Sequence, residues 1–289
     1  MIKDLFDPRP ELQKNQGFEP NFYIRFLRWI SKVIILFFRL NGKTRFSNEF
    51  IQALDPQLPV SLERGDEIIF RTGHGRLYWR AKHGYEEEPM LLEWINSWSS
   101  DEVFLDVGAN IGTFTLYAAK RGIKTIACEV DLINANLLYQ NVFLNQLEEK
   151  VLIFPFAVGE ETTIKNLFLK DVSPGDALHA LDEPSYMLNK RQSIKEIDVP
   201  CFKIDDLVSI LNIQPTKMKV DTDSNEFEVL LGADGLLDTI NEIYIELDEK
   251  YERHQKAITY LMNKGFTEKK REAPHREWSE VGNVLWSKG

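Results

Sequence analysis

One apolar pattern near the middle of the chain predicts a strand, a tight turn and a helix in succession. Val103 to Leu105 is a continuous apolar run that ends at Asp106, and an apolar stripe with helical spacing begins at Phe114. Gly108 and Gly112 bracket the turn between them. Such a unit brings bare backbone and a helix N-terminus to one place, where nucleotide-like ligands bind beyond the strand ends of an α/β sheet.

Buried strands and amphipathic helices continue to alternate towards the C-terminus, which predicts an α/β domain. The last two strands are separated by a charged turn and predict a closing hairpin. The predicted segments are the strands Thr125–Cys128, Val151–Gly159, Glu242–Leu247, Phe266–Lys270 and Gly282–Ser287, and the helices Ala135–Leu144 and Lys256–Asn263.

The first hundred residues have a different pattern, and we expect them to form an extension in front of this domain. Residues 67–71 and 76–80 alternate around a turn at Gly73-His74-Gly75, which predicts a β-hairpin, and Met90 to Trp98 predicts a helix. The predicted parts are a helical extension over 1–58, a hairpin and helix cap over 59–100, and the α/β domain over 101–289.

A helix with a single basic stripe is predicted over residues 21–44. Its basic positions fall within roughly a sixth of the helix circumference, and the rest of its surface is almost wholly apolar. The helix either packs internally or against a second copy, or lies in a membrane interface with its cations at anionic headgroups. A membrane span is disfavoured, because the longest apolar run, Val33–Phe38, is far shorter than the roughly twenty residues needed. The basic positions are Arg25, Arg28, Lys32, Arg39 and Lys43.

Composition narrows the expected location and partners. The 289 residues carry a formal net charge of −10, and the first sixty hold nine Lys and Arg against six Asp and Glu. Because nucleic acid binding needs a basic footprint, we expect no nucleic acid partner. Only two cysteines are present and no signal peptide is recognised, so we expect a cytoplasmic protein, with the inner membrane face as the alternative for the basic helix.

Two acids near the glycine turn indicate the ligand. Asp106 ends the first strand and would repel a pyrophosphate, but it suits a cationic amine. Glu129 follows the next strand about twenty residues beyond the turn, at the offset where an acid meets a ribose. An amine and a ribose together describe S-adenosylmethionine. The alternative is that Gly108 and Gly112 only make a tight turn.

Further candidate contacts to this cofactor lie in the same turn and after the next two strands. Phe156 and Ala157 end a strand where an adenine ring could pack, with plain core packing as the equal alternative. The complete set of predicted cofactor residues is Asp106, Gly108, Asn110, Gly112, Thr113, Glu129, Asp131, Phe156 and Ala157.

The turn and the second strand end resemble the class I methyltransferases, and later blocks resemble the FkbM-type methyltransferases within that class. The resemblance covers about residues 85–289. It departs at Asp223-Ser224, where the family has Glu-Gly, which puts the local loop geometry in doubt. The blocks are Asp106-Val-Gly-Ala-Asn-Ile-Gly112, Cys128-Glu-Val-Asp131, Ile204-Asp-Asp-Leu207, Lys219-Val-Asp221, Glu226, Val229-Leu230, Gly232-Ala233, Tyr244-Ile-Glu246 and Asn283-Val-Leu-Trp286.

The resemblance implies a Rossmann-like class I methyltransferase fold, with a seven-stranded, mostly parallel sheet and a C-terminal antiparallel hairpin. It also implies O-methyl transfer from S-adenosylmethionine to a hydroxyl of a sugar or glycan, with lipid-linked acceptors included because of the basic helix. Methylation of a soluble secondary metabolite and a non-catalytic scaffold are the alternatives.

A hydroxyl acceptor needs a base, and acids after the predicted fourth strand are the first candidates. We expect Asp221, Asp223 and Glu226 to be catalytic, each with a structural cap or salt bridge as the alternative. His74, His83 and His179 are further candidate bases in predicted loops, whereas His254 is predicted at the surface. No metal is expected. The aperiodic segment 170–195 is predicted to be a lid or substrate loop.

Overall fold

The structure is a computed structural model, and it describes residues 22–37, 55–62, 65–186, 195–272 and 281–289. The chain divides into two compact units, 1–57 and 58–289. The predicted hairpin and helix cap therefore shares a unit with the predicted α/β domain. The predicted division into three parts stays a prediction.

The strands of the described residues form a seven-stranded central sheet, a four-stranded sheet and a pair. In chain order they are β1 (Gln57–Ser61), β2 (Glu67–Arg71), β3 (Val103–Val107), β4 (Lys124–Cys128), β5 (Val151–Phe154), β6 (Ala157–Val158), β7 (Thr163–Leu169), β8 (Ala180–Leu181), β9 (Lys195–Phe202), β10 (Lys217–Val220), β11 (Glu242–Asp248), β12 (Phe266–Arg271) and β13 (Val281–Lys288).

The central sheet has the order β12-β13-β11-β10-β3-β4-β5. Strands β11, β10, β3, β4 and β5 pair in parallel, and β13 runs antiparallel to both β11 and β12. The predicted sheet with its antiparallel closing hairpin is confirmed. Because the inner parallel strands are covered on both faces, they are almost continuously apolar, as Val103 to Leu105 illustrates.

Helices of the second unit flank the central sheet. Those beside β3 and β4 are apolar over most of their surface: α4 buries six of its eight residues. In the described residues, the first unit contains α1 (Phe22–Phe37), and the helices of the second unit are α2 (Gly75–Glu87), α3 (Pro89–Asn96), α4 (Thr113–Lys120), α5 (Leu132–Leu144), α6 (Ile204–Leu211), α7 (Glu226–Gly232), α8 (Asp234–Leu237) and α9 (Glu252–Asn263).

The predicted hairpin over residues 67–80 is wrong in its second half, because 76–80 belong to helix α2. The His74 ring nitrogen Nδ1 accepts a hydrogen bond from the Arg76 backbone N–H at 3.3 Å and caps the helix. Leu77 and Ala81, one helical turn apart, are buried on the same face. Strand β2 pairs instead with β1. The short alternating run therefore forms a helix, because its N-terminus is capped by His74 and its apolar face is buried.

The run from Val151 to Gly159 is divided between two sheets rather than forming one strand. β5 pairs with β4 in the central sheet, and β6 pairs with β9 in the four-stranded sheet, whose order is β6-β9-β7-β8. Pro155 lies at the break, where its missing N–H interrupts pairing. The second sheet was not predicted. It matters for function because β6 and β8 stand beside the carboxyl ends of the central strands.

Helix α1 belongs to the first unit. Several of its apolar side chains are exposed, among them Trp29, Val33 and Leu36. Within the described residues, every helix is too short or too polar to cross a lipid bilayer.

Candidate active site

The tightest approach at the carboxyl edge of the sheet joins the ends of β3 and β10. Gly108 follows β3 with φ of +82°, and a Cβ atom built on it would stand 1.8 Å from the backbone oxygen of Asp221. A glycine is therefore required there by both backbone conformation and space. Gly112 has a packing role, since its Cβ would meet Leu138 Cδ1 at 2.3 Å.

Glu129 holds the glycine turn and the start of the next helix together. Its Oε2 accepts a hydrogen bond from the Asn110 N–H at 2.7 Å, and its Oε1 accepts one from the Asp131 N–H at 2.8 Å. Burial raises the pKa of Glu129 to about 7, against the opposing effect of these two backbone hydrogen bonds. The carboxylate is thus fixed in place at the end of β4, with both oxygens directed by backbone donors.

A cleft opens beside Gly108 and Glu129, at the carboxyl edge of the central sheet. Seven predicted residues line it: Gly108, Asn110, Glu129, Phe156, Ala157, Asp221 and Asp223. Five predicted residues are not part of its lining: Asp106, Gly112, Thr113, Asp131 and Glu226.

Asp106 is buried beneath the cleft rather than facing it. Its Oδ2 accepts a hydrogen bond from the Thr115 hydroxyl at 2.6 Å, and its Oδ1 lies 3.8 Å from Lys219 Nζ. Lys219 is opposite Asp106 in the parallel register of β3 and β10, and it also binds Asp221 Oδ2 at 2.8 Å. Burial lowers the pKa of Lys219, but the neighbouring carboxylates outweigh it, so the pKa lies above its usual value and the cation is secured.

Two more predicted cofactor residues have structural partners. Asp131 caps helix α5, where its Oδ1 accepts a hydrogen bond from the Ile133 N–H at 2.7 Å. The Thr113 carbonyl accepts a hydrogen bond from the Tyr85 hydroxyl at 3.0 Å. Their assignment to the cofactor stays a prediction.

Glu226 lies behind the loop that follows β10, Asp221 to Asn225, instead of in the cleft. Its Oε1 accepts hydrogen bonds from the backbone N–H and the hydroxyl of Thr222, at 2.8 and 3.0 Å. Its Oε2 lies 2.7 Å from His254 Nε2, and His254 Nδ1 accepts a hydrogen bond from the Asp248 N–H. His254 is therefore the Nε2–H tautomer and donates to Glu226. Its predicted surface position is wrong: the ring is 2% exposed, because it completes this buried chain.

The side of the cleft at the end of β10 is acidic, and we call it the acidic half. Carboxylate oxygens of Asp221 and Asp223, which line the cleft, and of Glu246 behind them lie within 4.8 Å of one another. Burial raises the pKa of Asp223, as does the neighbouring Asp221 carboxylate, and the same causes hold the pKa of Glu246 well above its usual value. Oxygen ligands of this type suit a hard cation, but an acidic cluster alone assigns none. The expected absence of a metal stays a prediction.

The predicted lid segment also lines the cleft. Sequence reasoning missed its Asp176 and named its His179 only as a candidate base. It also missed Asn134 and Asn225, which line the cleft and hold that segment. The other two histidines proposed as bases lie elsewhere: His74 caps α2, and His83 lies 2.9 Å from Glu86. One signal in the sequence could have indicated the contact with this segment. Asn134 is a polar residue in the apolar first turn of α5, and a buried amide needs hydrogen-bond partners from another part of the chain.

A known domain includes all of the cleft features described above, from the glycine turn to the acids after β10. The model of the methyltransferase FkbM domain matches residues 106–268, more than half of the chain. The chain belongs to the FkbM methyltransferase family. Its domain over residues 106–268 is of the methyltransferase type, which favours an enzyme over the non-catalytic scaffold.

Curated proteins similar to this chain include tRNA methyltransferases. The chain is 30% identical over 102 residues to a tRNA (guanine(37)-N(1))-methyltransferase of Dictyostelium discoideum, which is 35% of this chain and 21% of that protein. It is 24% identical over 155 residues to tRNA (guanine(37)-N(1))-methyltransferase 2 of Arabidopsis thaliana, covering 50% and 24% of the two chains. The matches thus span about a fifth to a quarter of the length of these relatives.

These relatives correct the expectation that nucleic acid is excluded as a partner. That expectation was wrong, because proteins similar to this chain act on tRNA. The physical reason is that net charge averages over the whole surface, whereas a nucleic acid contacts one part of it.

Solved structures with a similar fold include the methyltransferase FkbM from Methylobacillus flagellatus KT, with a TM-score of 0.44 and 17% identity over 66% of this chain and 44% of that one. Another is M. capricolum TrmK with S-adenosyl-homocysteine, with a TM-score of 0.41 and 10% identity over 69% and 67%. Membership of the methyltransferase FkbM family agrees with the predicted cofactor, S-adenosylmethionine. The cleft fits this cofactor, because Asp176 and His179 line it and their buried atoms Oδ2 and Nδ1 have no hydrogen-bond partners in the described residues.

Proposed function

We propose that the chain transfers the methyl group of S-adenosylmethionine to a hydroxyl oxygen of a sugar or glycan. The observation that carries this proposal is the placement of Asp221 and Asp223 in one cleft with Glu129. Carboxylates accept hydrogen bonds from hydroxyl groups, so the acidic half suits a polyhydroxylated compound. Burial and the neighbouring Asp221 carboxylate raise the pKa of Asp223, which supports a role for Asp223 as the proton acceptor.

Five lining residues are our proposed cofactor contacts. Gly108 and Asn110 lie at the end of β3, and Glu129 follows β4. Phe156 and Ala157 lie at the entrance to β6, where the Phe156 ring packs 5.1 Å from the Phe202 ring. Bare backbone, a fixed carboxylate and an aromatic wall match the methionine, ribose and adenine parts of the cofactor, respectively.

When bound by these residues, the cofactor would supply a methyl group on a cationic sulfur. Its transfer to the acceptor oxygen would form an O–C bond and leave the electron pair of the broken C–S bond on sulfur. We assign the acceptor proton to the Asp223 carboxylate. Asp223 is held in a left-handed conformation with φ of +61°, and its Oδ2 accepts a hydrogen bond from the Leu178 N–H at 2.7 Å. Glu226 and His254 position this loop through Thr222.

Asp223→Asn is expected to lower the rate of transfer by about 10²–10⁴-fold, because the amide cannot take the proton. The wild-type rate is expected to rise with pH through the raised pKa of Asp223, since only the ionised form is a base. The assay follows methyl-labelled cofactor into monosaccharides, oligosaccharides and small polyols. Asp182→Asn is the matched control, since Asp182 is also left-handed, at φ of +63°, but binds Lys165 outside the cleft.

The second candidate acceptor is a guanine base of tRNA, which the curated relatives favour. A guanine N1 also carries a proton, so the same acidic half could serve it. Unmodified tRNA transcripts therefore form a separate arm of the assay. Label in tRNA and none in any hydroxyl compound would replace the sugar proposal with this one, whereas label in a sugar alone supports the first.

We also propose that α1 binds an anionic lipid surface, which would place the enzyme beside lipid-linked acceptors. Residues 21–48 contain six Lys and Arg and no Asp or Glu, and α1 exposes Trp29, Val33 and Leu36.

Flotation with phosphatidylglycerol vesicles, but not phosphatidylcholine vesicles, is expected for the full chain. Trp29→Glu is expected to abolish flotation, while Met262→Glu, at an exposed apolar position of α9, leaves it intact. A dimer in solution with no vesicle binding would support the alternative interpretation of this helix and overturn the lipid proposal.

A further inference from the structure

The cleft is crossed by one segment, residues 173–186, which we call the strap. The strap is attached to both rims of the cleft. At the cofactor rim, the Gly175 N–H donates to Asn134 Oδ1 at 2.8 Å. At the acceptor rim, the Leu178 N–H donates to Asp223 Oδ2 at 2.7 Å, and the Leu181 N–H donates to Asn225 Oδ1 at 2.8 Å. The strap therefore forms part of the cleft wall.

Asp176 presents a buried carboxylate from the strap. The residue is 2% exposed, and its backbone oxygen accepts hydrogen bonds from Asn110 Nδ2 at 2.9 Å and Asn134 Nδ2 at 3.1 Å. Its Oδ1 lies 2.5 Å from Arg76 Nη1 and 3.8 Å from Lys170 Nζ. Its Oδ2 has no hydrogen-bond partner in the described part of the chain. One oxygen of this carboxylate is thus anchored, and the other is left for a donor.

His179 presents a second buried polar atom from the same segment. The ring is 8% exposed and lines the cleft, and its Nε2 lies 3.1 Å from Asp131 Oδ2. The Asp131 carboxylate, which caps α5 through its Oδ1, is the nearest of three acids around the ring. The carboxylates of Asp131, Asp223 and Glu129 outweigh burial and raise the pKa of His179, which favours the imidazolium form with a proton on each ring nitrogen. Nδ1 has no hydrogen-bond partner among the described residues, so its N–H is left for an acceptor.

A buried polar group without a hydrogen-bond partner destabilises the protein, and a ligand that supplies the partner regains that free energy on binding. S-adenosylmethionine offers donors for Asp176 Oδ2 in its ammonium group, ribose hydroxyls and adenine amine. It offers acceptors for His179 Nδ1 in its carboxylate and its adenine ring nitrogens. We propose that Asp176 and His179 bind the cofactor directly, so that the strap completes the cofactor site. This proposal rests on the predicted cofactor and not on the proposed acceptor.

Calorimetric titration with S-adenosylhomocysteine and with S-adenosylmethionine tests this assignment without any acceptor. Asp176→Asn and His179→Gln are each expected to raise the dissociation constant at least tenfold. Glu183→Gln is the matched control, because it removes an ion pair with Arg253 from the outer side of the same strap. The control is expected to bind as the wild type does. Dissociation constants within twofold of the wild type for both variants would overturn the proposal.

A second variant separates direct binding from anchoring of the strap. Arg76→Gln removes the anchor of Asp176 but keeps its carboxylate. If Asp176 binds the cofactor, this variant binds at least as tightly as the wild type, since the carboxylate retains its full charge for the ligand. If Asp176 only anchors the strap, Arg76→Gln weakens binding as much as Asp176→Asn does, which contradicts the proposal. An enzyme that binds the cofactor through these residues but methylates no hydroxyl would refute only the proposed acceptor.

Discussion

Gly108→Ala is expected to abolish detectable cofactor binding and to lower the free energy of unfolding. The new Cβ would stand 1.8 Å from the Asp221 backbone oxygen and 2.8 Å from its carbonyl carbon, so no side-chain rotation can relieve the clash. The ends of β3 and β10 would have to separate, which moves Asn110 and Asp221 away from the cleft. A left-handed alanine adds about 1–2 kcal/mol of backbone strain. Calorimetric titration with S-adenosylhomocysteine and denaturant unfolding measure the two effects.

Gly122→Ala is the matched control for this substitution. Gly122 has φ of +88°, close to that of Gly108, but nothing lies within 4 Å of a Cβ built on it. The control therefore carries the same backbone strain without the clash. We expect it to lose about 1–2 kcal/mol of stability and to keep wild-type binding. Equal loss of binding in both variants would mean that the close approach at Gly108 does not determine the site.

Lys219→Met is expected to destabilise the protein by about 3–5 kcal/mol at pH 8, the usual cost of removing one partner from a buried ion pair. The side chain is 3% exposed and lies between Asp106 and Asp221. Without it, the buried Asp106 carboxylate has no cation at its Oδ1. Denaturant unfolding of the wild type and the variant measures the difference.

The pH dependence of this difference identifies its origin. Burial raises the pKa of Asp106, whereas Lys219 lowers it, so the variant raises that pKa further. A folded-state pKa above the unfolded value means that the folded variant retains a proton which the unfolded chain loses as pH rises. Its penalty is therefore expected to grow with pH and to shrink towards pH 5. Lys217→Met, on the same strand beside Glu242, is the control with a smaller effect. A penalty independent of pH would indicate lost packing instead.

Much of the fold follows from local patterns that are visible in the chain. The central strands are buried on both faces and are therefore apolar runs, and Gly108 must be glycine because of its backbone conformation. The hairpin error at 76–80 has the opposite cause. Five alternating residues are compatible with either a strand or a helix. The helix forms here because His74 caps its N-terminus and Leu77 is buried.

Part of the candidate site also follows from local patterns, and part does not. Glu129 lies at a fixed offset from the glycine turn, and it lines the cleft as its position predicts. The strap joins elements that are distant in the chain: His179 pairs with Asp131 across 48 positions and Leu178 binds Asp223 across 45. No local pattern encodes such pairs, because loop residues have no periodicity from which a partner can be derived.

The sequence by itself determined the α/β sheet with its antiparallel closing hairpin, the glycine turn and the acid after β4. These features depend on apolar periodicity and on backbone conformation, which act between residues close in the chain. Only the tertiary structure decided which acids face the cleft. Asp106 and Glu226 carry carboxyl groups just as Asp223 does, but Lys219 and His254 hold them in buried networks. The strap, in contrast, leaves Asp176 and His179 at the cleft. Partners of that kind come from strands and loops that only folding brings together.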